Sequence, residues 1–217
     1  MKSGMKIYSG LAVITIPLFI LFLILNFLPK QTGMALVREG GLIENVSVIG
    51  YFVGVAIAII IAARMKWPAG YSIGIIMMLL AFRELDFDTR FTTRGILSIS
   101  FYLNPVVGTL ERIIVILIML LLSAFLFMFL KKYTLAFMDG LRRGVPYFIT
   151  ASAGIISLPL SYYIDGGFEW LDNMGQGYRS LFIEEPLEMA IPFFFILAMI
   201  QFYINVKNQE GRDPIVS

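Results

Sequence analysis

"AGYSIGIIMMLLAFRELDF", residues 69–87, decides how many times this chain crosses a membrane. Its uncharged part, Ala69–Phe82, rises only about 21 Å as a helix, short of a hydrocarbon core of about 30 Å. Carried through the charges to Phe87, it reaches about 28 Å. The longer reading adds a helix and draws Arg83, Glu84 and Asp86 to the membrane edge. It predicts a third spanning helix over 69–87.

Working outward, five further apolar runs reach spanning length: residues 10–28, 42–63, 106–130, 145–164 and 185–206. The predicted fold is all-α: a single transmembrane domain of six helices over residues 1–217. The composition agrees. Of 217 residues, 59% are hydrophobic and 15% charged, and the mean hydropathy is +0.84. A water-soluble domain has no means of burying that much apolar surface. The first run follows Lys2 and Lys6 like a signal peptide. It is longer than a signal core and ends in "FLPKQTG" rather than a small-residue cleavage site, so it reads as an uncleaved helix.

Six crossings put both termini on one side. With that topology Lys2, Lys6, Arg64, Lys66, Lys131, Lys132, Arg142, Arg143, Lys207 and Arg212 share a face. Lys30, Arg38, Arg83, Arg90, Arg94, Arg112 and Arg179 lie opposite. The richer face is cytoplasmic by the positive-inside rule. All acids but Asp139, Glu210 and Asp213 fall on the outer side. Two outer connections, residues 88–105 and 165–184, mix charge with Phe91, Phe101, Tyr102, Phe168, Trp170, Tyr178 and Phe182, residues suited to the membrane–water boundary. No internal repeat is visible.

Several chemistries are absent. The chain has no cysteine and no histidine, which removes disulfides, thiolate or imidazole metal sites and Ser-His-Asp triads. A net charge of +2 does not point to nucleic acid. The lipid bilayer is the expected partner, with a membrane-protein partner or a second copy as further candidates.

Small residues mark the packing seams. Gly50, Gly54 and Ala58 are spaced i, i+4 in the second helix, and Gly70 and Gly74 likewise in the third. Such ladders let membrane helices approach closely. The fifth helix carries Thr150, Ser152, Ser157 and Ser161 with Pro159, a polar stripe with a kink.

The acids carry the functional question. The second, fourth and sixth helices begin at the outer face with Glu44, with Glu111 beside Arg112, and with Glu184, Glu185 and Glu188. The positive end of a helix dipole favours an acid there, and Asn104 before Pro105 reads as an N-cap. Two groups need more than the dipole. Glu184, Glu185 and Glu188 share one helix face and repel. Glu84, Asp86 and Asp88 close the third helix at its C-terminal end, where the dipole disfavours them. Charges at membrane depth need partners. Glu44, Arg83, Glu84, Asp86, Asp88, Glu111, Arg112, Glu184, Glu185 and Glu188 are therefore the candidate ligand-binding residues. Glu84, Asp86, Glu185 and Glu188 are the candidates for holding a cation, and oxygen-only ligands suit Ca²⁺ or Mg²⁺.

"RELDFDTRFTTRGILSISFYL", with "REGGLIENVSVIGYF" before it and "EEPLEMAIPFFFILAMIQ" after it, resembles a group of bacterial inner-membrane proteins. That group carries an Arg-Glu-(Leu or Met)-Asp-Phe motif. Its members often have histidine near the position of Asp88, where this chain departs. The resemblance implies a multi-pass protein of the bacterial inner membrane. It brings no activity and no functional residue with it.

Three functions are compatible with these residues. One is a sensor or transporter that binds a cation or small polar ligand at the outer face. The second is a scaffold or accessory subunit whose charges form a structural ion-pair network. The third is a carboxylate-dependent enzyme acting on lipid or envelope precursors. No nucleophile motif or phosphate-cradling loop marks an enzyme.

Overall fold

The computed structural model describes residues 2–38, 40–93, 95–96, 99–167 and 178–210. Their secondary structure is helical. In chain order the elements are α1 (Lys2–Phe27), α2 (Lys30–Val37), α3 (Leu42–Met65), α4 (Pro68–Glu84), α5 (Phe87–Phe91), α6 (Ile99–Leu103), α7 (Thr109–Arg142), α8 (Pro146–Gly167) and α9 (Tyr178–Glu210). Five spans among them are long and apolar enough to cross a membrane. They fall in α1, α3, α7, α8 and α9. The remaining long helix, α4, has 17 residues and rises about 26 Å.

The stretch that decides the count stops earlier than its length requirement suggested. α4 ends at Glu84, not at Phe87. Leu85 donates its N–H back to the Ala81 carbonyl and Asp86 to that of Arg83. Asp86 then takes a left-handed conformation, φ 49°, which no helix continues and which Asp tolerates better than most side chains. The chain turns into α5 and leaves Asp86 exposed.

α9 is the hub of the bundle, packing against α8, α3, α1 and α2, while α3 and α4 form a closely packed pair. Small residues set these distances. A Cβ built on Gly70 would lie 2.8 Å from the Ala62 Cβ and 3.2 Å from the Ala58 carbonyl oxygen. On Gly50 it would lie 3.0 Å from Cγ of Pro192, in α9. One small-residue ladder on α3 thus meets α4 and α9. Pro192 has no N–H for the Glu188 carbonyl four residues back, and prolines persist in membrane helices where neighbours compensate.

The core formed this way contains Tyr51, Val55, Ala58, Met77, Ala81 and Ile191. A second cluster joins Leu25, Val37, Ile43 and Phe182. Two aromatics expected at the membrane boundary are interior instead. Phe182 is 2% exposed and Phe101 is fully buried. Each sits one or two helical turns from charges, so composition placed it at an interface while packing put it inside. Phe91 is exposed. Phe168 and Trp170 lie outside the described residues, as do the side chains of Tyr178 and Arg179.

α7 is the outlier. Its 34 residues extend about 51 Å, and its main packing partner is α8. It begins after an N-cap at Gly108. The expected cap is instead a turn, in which the Asn104 side chain accepts the Val106 N–H at 3.0 Å. It also runs past residue 130, where a loop was expected. "KKYTLAFMDGLRR" is helical, because Phe137 and Gly140 pack on Phe148 of α8. An Asp139–Arg143 pair at 2.8 Å supports the last turn. Likewise α9 begins at Tyr178 rather than at Glu185, which places Glu184, Glu185 and Glu188 inside a continuous helix.

Candidate functional site

At one end of the bundle the last turn of α4 meets the starts of α3 and α9 and the far part of α8. Arg83 is the organising residue. Its Nη2 lies 2.8 Å from Oε1 of Glu188. The Ser161 hydroxyl of α8 is 3.1 Å from the same oxygen and 3.0 Å from the Leu158 carbonyl. Its single proton serves one of the two at a time. α4, α8 and α9 are thereby tied at one carboxylate. The Glu188 side chain is 12% exposed, that of Arg83 47%. The pair spans a gradient from interior to surface, which lowers the desolvation cost of the cation.

The neighbours of this pair are mostly acidic. The groups acting on Glu84 are Glu188, Ser47, Arg83 and Glu44. Those acting on Glu185 are Glu188, Glu184, Glu84 and Glu44, every one a carboxylate. Tyr51 completes the wall. It is 1% exposed and feels Glu84, Glu188 and Arg83. Glu44 also closes its own helix start, accepting the Gly40 N–H at 2.5 Å, as an acid at a helix N-terminus does.

Ser47 is 1% exposed. Its hydroxyl is buried and acts on the Glu84 carboxylate as a hydrogen-bonding neighbour.

Of the expected residues the structure pairs Arg83 with Glu188, and Glu44, Glu84, Glu184 and Glu185 lie within electrostatic reach of one another. It leaves out others. Asp86 is exposed on its left-handed turn and is not among the groups acting on Glu84 or Glu185. The side chain of Asp88 lies outside the described residues. Glu111 and Arg112 serve the loop before α7. Glu111 accepts the Thr93 N–H at 2.7 Å and its hydroxyl at 2.8 Å. Arg112 donates through Nη2 to the Asn104 carbonyl, with its Nε buried and unpartnered. Among the described residues no three acidic side chains are grouped so as to hold a metal ion.

Sequence reading missed Ser47 and Tyr51 and gave Ser161 no partner. A signal existed for two of them. Glu44, Ser47 and Tyr51 stand at i, i+3 and i+7, one face of α3. The stripe on α8 is likewise one face: Thr150, Ser157 and Ser161 are buried. Thr150 Oγ1 lies 2.9 Å from Gln201 Oε1 of α9.

No family model, curated protein or solved structure matches the chain. What the fold defines is an all-α protein with several helices long and apolar enough to cross a membrane.

Proposed function

We propose that the chain is a multi-pass protein of the bacterial inner membrane, with both termini cytoplasmic. Its outer-end carboxylate cluster takes up a small cation, as in a sensor or transporter. One observation carries this reading: Glu44, Glu84, Glu184 and Glu188 all act electrostatically on Glu185, while Arg83 is paired with Glu188. Like charges gathered away from water repel unless a proton or a cation joins them, and a cation can compete with the proton. The Ser47 hydroxyl, a neighbour of Glu84, adds a neutral oxygen to the group. Ten basic residues against seven favour the orientation.

The test is the melting temperature of the full chain in lipid nanodiscs, at constant ionic strength, in sodium, magnesium, calcium or methylammonium chloride. One cation should stabilise the parent, and Glu185→Gln should abolish that response. Equal melting in all four salts would remove the proposal.

A second reading has its own support. The Arg83–Glu188–Ser161 junction joins three helices, as a structural network in a scaffold would. If the cluster is only structural, Glu185→Gln relieves repulsion and stabilises the protein equally in every salt.

A further inference from the structure

No charged residue stands between Arg94 and Glu111. α6 lies in this stretch and is five residues long, whereas about 20 are needed to cross a membrane. A short apolar helix of this kind enters a bilayer only by returning on the same side.

α7 supplies the depth scale. Its residues Ile113–Leu130 carry no charge and rise about 27 Å, close to a hydrocarbon core of about 30 Å. Ile113 therefore marks one edge of the core. Val115 lies about 3 Å inside that edge and Met119 about 9 Å. Phe101 of α6 is buried in one cluster with Val115, and Met119 packs against the same cluster. α6 thus lies beside α7 at the membrane edge and just below it.

The two faces of α6 differ. Phe101 is turned inward, whereas Ile99 and Leu103 stand at i and i+4 on the other side and are 75% and 77% exposed. Val106, in the turn that follows, is 75% exposed. On α7, Leu110 and Leu117 bracket this level and are exposed as well.

The turn is fitted for a place without water. Backbone polar groups that enter hydrocarbon must find partners within the protein. Val106 donates its N–H to Asn104 Oδ1 at 3.0 Å, and Val107 donates to the Asn104 carbonyl at 3.2 Å. Arg112 adds a donor to that carbonyl. Pro105 has no N–H to satisfy. The Tyr102 hydroxyl donates to the Ile96 carbonyl at 2.9 Å.

We propose that α6 and its turn form a re-entrant wedge in the leaflet at the start of α7, with Ile99, Leu103 and Val106 against phospholipid acyl chains. The proposal rests on α7 crossing the membrane. At that depth the solvent is lipid, and side chains without a polar atom are met by acyl chains as well as by protein.

The chain has no cysteine, so a single introduced cysteine carries a nitroxide label at one known place. Ile99→Cys, Leu103→Cys, Leu117→Cys and Arg142→Cys are compared in the full chain in phosphatidylcholine nanodiscs. Power saturation is read with oxygen, which concentrates in hydrocarbon, and with a nickel chelate confined to water. Leu117→Cys should favour oxygen. Arg142→Cys, about 18 Å past Leu130, should favour nickel. Ile99→Cys and Leu103→Cys should both favour oxygen, as Leu117→Cys does. Nickel preference at either α6 position, while Leu117→Cys favours oxygen, overturns the wedge and leaves α7 a span. Shielding of the α6 labels from both reagents overturns it too and places a protein surface there. Nickel preference at Leu117→Cys removes the span itself, and the wedge with it.

Discussion

Glu111 stands in the first turn of α7 and Glu185 two turns into α9, and they meet opposite surroundings. Glu111 accepts two hydrogen bonds from Thr93 and belongs to a loop. Glu185 faces Glu44, Glu84, Glu184 and Glu188. The difference comes from the partners of the helix together with the depth of the acid along it. α7 packs mainly against α8, whereas α9 packs against four helices. A carboxylate at a helix start is explained by the dipole until other helices bring more carboxylates to it.

The strongest way to break that contrast is to remove the cation that α9 depends on. Arg83→Met leaves Glu188 buried without its ion pair. Losing one partner of a buried pair costs about 3–5 kcal/mol. Arg83 is half exposed, so the expected loss is smaller, about 2 kcal/mol. Urea or detergent unfolding of the full chain checks it, and a loss no larger than that of an exposed arginine such as Arg142→Met would break the contrast.

Next is the packing that brings α9 to α3. Gly50→Leu forces a side chain against Pro192, and overpacking of this kind costs about 1–3 kcal/mol. Its effect should be felt at the cluster, as a weakened cation response. Gly108→Ala is the control, because nothing lies within 4 Å of a Cβ built there. A Gly50→Leu protein that melts like the Gly108→Ala protein would show that the α3–α9 approach does not depend on this glycine.

Two smaller effects sharpen the picture. Lys66 ends α3 at φ 48°, a left-handed position that costs a non-glycine residue about 1 kcal/mol. Lys66→Gly should therefore raise stability slightly, by about 0.5 kcal/mol once glycine's extra unfolded-state freedom is counted. Glu111→Gln should change neither the melting temperature nor the response to cations. A cation response that falls in Glu111→Gln would mean that α7 belongs to the site after all.

The apolar runs were legible because 59% hydrophobic residues leave little ambiguity about where helices lie. Their ends were not. α4 stopped at a left-handed Asp86, and α7 ran through "KKYTLAFMDGLRR" because Phe148 was there to pack on. Both outcomes depend on contacts from other parts of the chain. Arg83, Glu84 and the glutamates of α9 could be read as one group, since charge stands out against leucine and phenylalanine. Ser47 and Tyr51 share a helix face with Glu44, a signal that names no partner, and the role of Ser161 shows only where Glu188 of α9 faces it. Arg112, expected beside the cluster, went instead to the Asn104 carbonyl, a partner eight residues away that no charge pattern indicates.

The central claim is that the acids around Glu185 take up a cation. Infrared difference spectroscopy of the full chain in nanodiscs, with and without the stabilising cation, reads their carboxylate stretching bands directly. The parent should show a shift of the antisymmetric carboxylate band, Glu185→Gln should lose it, and Glu111→Gln should keep it. A difference spectrum that is flat in the parent, or one that survives unchanged in Glu185→Gln, would contradict the claim.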